Sequence, residues 1–169
     1  MNDTLITVVA IVLVAGLIFV VPLVTMADRF DTTSQAEVEA IVSDFVEEIR
    51  TTGKITEAKY NQFNQNLNAL GYTFDVEMEV KNLDENPGKK TSQTAKDKIG
   101  ENVYYSEYTA QIEAELEANG VKNLQTGDIV LVEVKNTDLT LSQQLKNWMY
   151  KIVGNDTATV VASKAGMVQ

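Results

Sequence analysis

The sequence predicts an α+β protein: an N-terminal transmembrane helix continuing into, or followed by, an amphipathic helix, then a small domain with about three strands and three helices. Three observations predict it. Residues 5–26 form an uncharged apolar run, residues 38–49 carry apolar side chains at helical spacing, and residues 72–81 alternate between apolar and polar. We divide the chain into a transmembrane and assembly helix, residues 1–30, and an α+β head domain, residues 31–169.

The apolar run LITVVAIVLVAGLIFVVPLVTM is long enough to cross a bilayer. At about 1.5 Å per residue it spans about 33 Å as a helix, and the hydrocarbon core is about 30 Å thick. A helix that is apolar all round needs lipid or protein on every side. The alternative is a cleavable signal peptide, which has a basic start and an apolar core of roughly 7–15 residues. Here MNDT precedes a longer run.

Six residues of this helix are the expected membrane and assembly contacts. Gly16 would let a second helix approach, and Pro22 removes a backbone donor and favours a kink. Met26, together with Phe30, is expected near the phase of the apolar stripe that follows. The six residues are Leu5, Val9, Leu13, Gly16, Pro22 and Met26.

The segment after the apolar run predicts an amphipathic helix, then a second helix and a strand. The expected helix over residues 56–70 has Thr56 as its N-cap and Gly71 at its end. On the strand 72–81, the acids Asp75, Glu77 and Glu79 are expected to face water, and residues 82–102 are expected to form an exposed loop. The stripe of the amphipathic helix is Val38, Ile41, Val42, Phe45, Val46 and Ile49.

The C-terminal half predicts two more helices and two more strands. We expect a helix over residues 105–119 that ends at Gly120, a strand over 128–135, a helix over 142–153 and a strand over 157–163. The inward side chains of the first of these helices are expected to be Tyr105, Tyr108, Ile112 and Leu116.

Composition narrows the function. The chain has 169 residues, a net charge of −10, no cysteine and no histidine. Thiol nucleophiles, disulfides, histidine triads and histidine or cysteine metal sites are therefore excluded. The acidic balance argues against nucleic acid as a partner. We expect a protein that is not an enzyme and holds no cofactor or metal.

The order of an apolar helix, an amphipathic helix and a small α+β domain, with Pro22 near the end of the run, resembles type IV pilins and pseudopilins. The stretch FVEEIRTTGKITEAKYNQFNQNLNALGYTFDVEMEV, residues 45–80, is similar to minor pilin-like proteins of tight-adherence pilus systems in Gram-positive bacteria. The resemblance implies a structural subunit of a pilus or pseudopilus. It also implies a single-pass membrane protein with an external domain, or a cell-surface filament.

The resemblance further implies three kinds of partner: membrane lipid, other copies of the chain through the N-terminal helix, and other pilus or secretion components. Pilins of this family carry a glutamate at the start of the apolar run that neutralises a neighbouring subunit's amino terminus. The resemblance gives this role to Asp3, and a solvated acid is the alternative. The alternative function is a membrane-tethered accessory or binding domain of a secretion or conjugation apparatus.

Overall fold

The computed structural model describes residues 2–84, 104–138, 144 and 161–169. A long N-terminal helix is followed by a small domain of strands and short helices, which confirms the predicted α+β class. The elements are α1 Asn2–Thr52, β1 Lys54–Thr56, α2 Glu57–Ala69, β2 Phe74–Leu83, β3 Tyr104–Tyr108, α3 Thr109–Asn119, β4 Val121–Asn123, β5 Ile129–Asn136 and β6 Val161–Met167.

Helix α1 is a single element of 51 residues with Pro22 inside it. It passes without a break through residue 30, so the apolar run and the amphipathic stripe belong to one helix. The hydroxyls of Thr7 and Thr25 donate to the carbonyl oxygens of Asp3 and Val21, four residues earlier, at 2.8 and 3.0 Å. These bonds keep both hydroxyls satisfied inside the apolar run without any external partner.

Two antiparallel sheets form the head domain. The larger has the order β3-β2-β5-β6, and the smaller pairs β1 with β4. Strand β5 lies between β2 and β6, and its Val130, Val132 and Val134 are fully buried. The alternation predicted for residues 72–81 and the strand predicted for 128–135 are therefore both present, with bounds shifted by one or two residues.

The C-terminal part of α1, residues 31–52, called the lower half below, supplies one side of the core. Val38, Val42, Val46 and Ile49 are almost completely buried, and α1 packs mainly against β6 and β5. On its flank, the rings of Phe45 and Phe63 stack with centroids 4.3 Å apart, which joins α2 to the same core. The buried members of the predicted stripe are thus the residues that fix α1 to the head.

Capping residues lie at the turns between these elements, among them the predicted Thr56 and Gly120. Gly53 ends α1 with a positive φ of 64°, which glycine adopts without a steric penalty. The Thr56 side chain accepts from the Lys59 backbone at 3.4 Å and caps α2, and Gly120 caps α3 in the left-handed conformation. These caps mark where α1 and α3 end and where α2 begins.

The prediction for residues 105–119 is wrong in its first turn. Residues 104–108 form strand β3, which pairs with β2 over five residues, and the helix begins at Thr109. Ile112 and Leu116 are buried as predicted, but Tyr105 and Tyr108 are 49% and 60% exposed. Pairing with the free edge of β2 outweighs the helical spacing, because adjacent tyrosines favour a strand.

Other differences lie at the short strands and the C-terminus. Strands β1 and β4, three residues each, were not predicted. The last strand runs over Val161–Met167 rather than 157–163, so only its beginning overlaps the prediction. The predicted helix 142–153 lies outside the described residues except for residue 144, and most of the predicted loop 82–102 lies outside them too.

A close contact between α1 and β6 occurs at Gly166. A Cβ built on this glycine would lie 2.3 Å from Cδ of Arg50 and 3.0 Å from Cγ1 of Val46. The Arg50 side chain is itself held, because its Nε donates to the Met167 carbonyl at 3.0 Å and its Nη1 pairs with Glu47 at 2.7 Å. Glycine at this position therefore allows α1 to approach the sheet.

We predict that Gly166→Ala lowers the free energy of unfolding by about 1–3 kcal/mol, the usual cost of overpacking. Alanine normally stabilises a strand relative to glycine, so a loss identifies the clash. Ala165→Ser, on the neighbouring exposed position, is the control and should change stability by less than about 0.5 kcal/mol. Chemical denaturation of both variants measures this, and equal stabilities would contradict the close packing.

Candidate membrane and assembly surface

The N-terminal part of α1, residues 2–30, called the upper half below, presents an apolar surface to its surroundings. Its most apolar 18-residue window is entirely unburied within the protein. By length and composition this helix is able to cross a membrane, and it is the one such helix among the described residues. The exposed large apolar side chains of this half are Leu5, Ile6, Val8, Val9, Ile11, Val12, Leu13, Val14, Leu17, Ile18, Phe19, Val21, Leu23, Met26 and Phe30.

The six predicted contact residues lie along this surface rather than around one point. Leu5, Val9, Leu13 and Met26 are all exposed, and Pro22 is exposed within the helix. No atom lies within 4 Å of a Cβ built on Gly16, so the chain leaves space beside this residue. The predicted residues therefore describe a surface that lipid or other helices would cover.

Asp3 lies in the first turn of α1 and is exposed. A carboxylate at this end is favoured by the positive end of the helix dipole. Among the described residues no ion pair to its side chain is present. The position is compatible with both expectations for Asp3, contact with a neighbouring amino terminus and simple solvation.

The expectation that Met26 and Phe30 continue the buried stripe is wrong. At about 100° per residue, Ala27 lies on the face of Val38, whereas Met26 and Phe30 are rotated from it by roughly 80–120°. Ala27 is buried, at 7% exposure, and Met26 and Phe30 are about 60% exposed. The helix therefore carries two different faces near residue 30, one continuous with the core and one apolar but uncovered.

In the head domain, Lys122 is a buried cation with two carboxylate partners. Its Nζ contacts a carboxylate oxygen of Glu107 on β3 and lies 2.8 Å from Glu115 on α3. Burial by itself would lower the pKa of Lys122, but hydrogen bonds and the charges of the two glutamates outweigh it and hold the pKa above its ordinary value. The amine stays protonated, so the cluster ties β4 to β3 and α3 and offers no nucleophile.

Two other buried polar groups also have structural partners. The carboxylate of Asp128 accepts from the backbone N–H of Leu83 at 2.8 Å and of Gln125 at 2.7 Å, which joins β2 to the turn before β5. The Tyr60 hydroxyl donates to Glu113 at 2.6 Å and connects α2 to α3. No sequence pattern indicates the Leu83–Asp128 and Tyr60–Glu113 contacts, because each joins segments far apart in the chain.

The acids of strand β2 lie on the outer face of the sheet, as the alternation predicts. Asp75 and Glu77 are exposed. Glu79 is partly covered and accepts from the Ser106 hydroxyl at 2.6 Å. Within the described part of the chain, no group of three or more acids has the arrangement of a metal site.

The surface of α1 is thus the feature of the described structure that calls for a partner. A comparison of the chain with protein-family models, with curated proteins and with solved structures finds no match. The function is therefore inferred from the geometry of α1 and the head domain.

The Tyr60 contact predicts alkaline sensitivity. Burial, followed by the hydrogen bond to Glu113, raises the pKa of Tyr60 from 10.0 to about 12. The neutral phenol is thus favoured in the folded state, and its stabilisation is complete below pH 10.0 and is lost as the pH rises to about 12. Denaturation across this range should show a smaller loss of stability for Tyr60→Phe than for the wild type.

Tyr72→Phe is the matched control, because no described residue hydrogen-bonds to the Tyr72 hydroxyl. This variant should follow the wild-type pH profile. A Tyr60→Phe profile that coincides with the wild-type profile would show that Tyr60 titrates normally in the folded state.

Proposed function

We propose that this protein is a structural subunit of a pilus or pseudopilus that is anchored and assembled through the upper half of α1. One observation carries the proposal. A fully exposed apolar helix continues without a break into a helix that forms one side of a folded core. The head therefore has a fixed relation to a rod that lipid covers first and neighbouring rods cover after assembly.

The free energy that would be gained by burying the exposed apolar side chains of α1 supports a partner for this helix. Burying one large apolar side chain is worth about 1.5–3 kcal/mol, and the upper half of α1 exposes more than ten of them. A bilayer covers this surface for a single chain, and a bundle of parallel copies covers it without lipid. Both partners, membrane lipid and further copies, therefore belong to the proposal, together with pilus or secretion components that move the chain between the two environments.

The charge of the head is consistent with an outward position. Residues 27–169 contain nearly all the acids of a chain with a net charge of −10, and the exposed face of β2 carries part of them. Such heads remain soluble, and salt screens their mutual repulsion at distances beyond about 10 Å. We propose an external head domain, because the pilin-like proteins that the sequence resembles face that way. The charges near the membrane helix give little bias of their own.

The rival function is a membrane-tethered accessory or binding domain. The apolar surface of α1 alone supports it, because an anchor needs the same exposed side chains. The two functions differ in what covers α1 in the mature state. A tethered domain keeps lipid around the helix, and a pilus subunit exchanges lipid for other copies.

Val14→Arg tests whether other copies of the chain replace lipid around α1, because Val14 is exposed in the middle of the apolar half. A charge at the bilayer centre costs about 2.5–3.5 kcal/mol on insertion scales, so part of the chain should still insert. In a close-packed bundle of apolar helices, the arginine side chain reaches neither water nor lipid headgroups. We therefore expect Val14→Arg to remove the chain from sheared, sedimentable surface material while a membrane fraction remains.

Val14→Leu is the matched control and should leave the sheared fraction unchanged. Immunoblots of the sheared and membrane fractions, at native expression and with the secretion system present, give the result. A wild-type chain that is found only in the membrane fraction would contradict the pilus subunit and favour the tethered domain.

A further inference from the structure

A groove of about 250 Å³ lies on the outer face of the larger sheet, the face turned away from α1. It runs over β2 and β5 and ends at the junction of β3 and α3. Its walls include three carboxylates, one apolar side chain and one aromatic ring: Glu77, Glu79, Glu133, Leu131 and Tyr108. Glu77 is exposed and Tyr108 is 60% exposed, so the groove is open to solvent.

Two glutamates of this groove face each other across the strands. Glu77 and Glu133 are directly opposite in the β2–β5 ladder. Directly opposite residues have Cβ atoms about 4.5–5.5 Å apart, and like charges at this spacing destabilise a sheet. Neither side chain has a hydrogen bond or an ion pair to any residue that the structure describes. The fold therefore holds two negative charges together without a compensating cation from the described chain.

The neighbouring outward pairs of the same ladder differ from this one. One step along, Asp75 is opposite Lys135, which has the opposite charge. One step in the other direction, Glu79 is opposite a leucine, and its carboxylate accepts a hydrogen bond from a serine hydroxyl of β3 at 2.6 Å. Glu77 and Glu133 are therefore the one pair of like charges among the outward positions at which β2 and β5 pair.

We propose that this groove binds an arginine side chain from a basic segment of a different protein, with the guanidinium between Glu77 and Glu133. A guanidinium is planar and carries five N–H donors in a fixed fork, so one arginine is able to bond to both carboxylates. In this arrangement its aliphatic stem packs on Leu131, and the Tyr108 ring lies against the cation in a cation–π contact.

The charge of this chain argues for a different protein rather than a second copy as the occupant. The chain has a net charge of −10, so a second copy would bring a largely acidic surface to an acidic groove. The chain has two arginines. Arg50 is already bonded to Glu47 and to the Met167 carbonyl, and Arg29 lies on α1 at the end of the apolar half. The groove itself does not depend on what covers α1, so the inference is independent of the proposed function.

The start of α3 adds a weak opposing charge to the groove. Thr109 and Ala110, in its first turn, border the groove, and a helix start carries about half a positive charge. Lys81 lies 3.8 Å from Glu79 and offsets that carboxylate. The remaining two carboxylates outweigh the helix start, so the groove stays negative and selects a cation.

An NMR titration of ¹⁵N-labelled full-length protein in uncharged detergent micelles tests the groove. The probe is a glycine–serine peptide with one central arginine, and the control peptide has citrulline, a neutral isostere of arginine, at that position. The arginine peptide should shift the amide resonances of Tyr108, Glu133 and their neighbours, and the citrulline peptide should not. Equal binding of both peptides, or shifts without a maximum at the groove, would overturn the inference. A lysine peptide that binds as tightly would overturn the choice of arginine.

Glu133→Gln tests the paired carboxylates with the same arginine peptide. Loss of one hydrogen bond to a charged group should lower the affinity about tenfold. Asp75→Asn is the matched control, because Asp75 lies on the same strand face but opposite Lys135, and it should change the affinity less than about twofold. Equal losses from the two variants would indicate a general attraction to an acidic surface and would contradict a specific groove.

Denaturation of the free variants separates a binding role from a structural one. Glu133→Gln should raise the denaturation midpoint, because it removes a repulsion between directly opposite charges. Asp75→Asn should not raise it, because it removes an attraction. A lower midpoint for Glu133→Gln would show that the carboxylate has a stabilising partner within the chain, and this result would overturn the inference.

Discussion

The packing of the lower half of α1 on strands β5 and β6 is the contact on which the rest of the structure depends. Val38, Val42 and Val46 are buried against the sheet, and Gly166 allows the helix to come close. Arg50 adds a polar tie by donating to the Met167 carbonyl. Without this contact the apolar half of α1 would be a tether of arbitrary direction, and with it the head and the apolar rod form one continuous body.

Because the head and the apolar half of α1 are continuous, the apolar surface has a fixed direction relative to the head. A rod that projects from a fixed head offers the same side chains to every neighbour in the same geometry, which repeated assembly requires. The contacts of ionisable side chains in the head domain are structural and are separate from the apolar surface. Lys122 bonds to Glu115 and Tyr60 bonds to Glu113, both on α3. Burial and then the bond to Glu113 raise the pKa of Tyr60, whereas glutamate partners raise the pKa of Lys122 against the effect of burial. Their role is to hold the head domain together.

Local patterns predicted the elements that depend on local physics. The uncharged run predicted the apolar half of α1, and the alternation from Tyr72 to Lys81 predicted β2. Thr56 and Gly120 marked a helix start and a helix end because capping involves only neighbouring residues. For the membrane and assembly surface, the sequence identified the apolar residues of α1. It did not identify which face of this helix the head domain leaves exposed.

The elements that were missed depend on contacts between distant segments. Strands β1 and β4 have three residues each and exist because each pairs with the other, with 65 to 69 positions between paired residues. Strand β3 replaces a helical turn because the edge of β2 accepts it. The buried site of Lys122 requires Glu107 and Glu115 from two other elements, and no spacing pattern indicates such a cluster.

Immunogold electron microscopy of intact cells, with antibodies against the head domain, tests the central claim most directly. The claim is that copies of this chain assemble through the apolar half of α1 with their heads outside. It predicts gold particles in rows along filaments that leave the cell, without permeabilisation. Label scattered over the cell surface with no filaments, or label that appears only after permeabilisation, would contradict it.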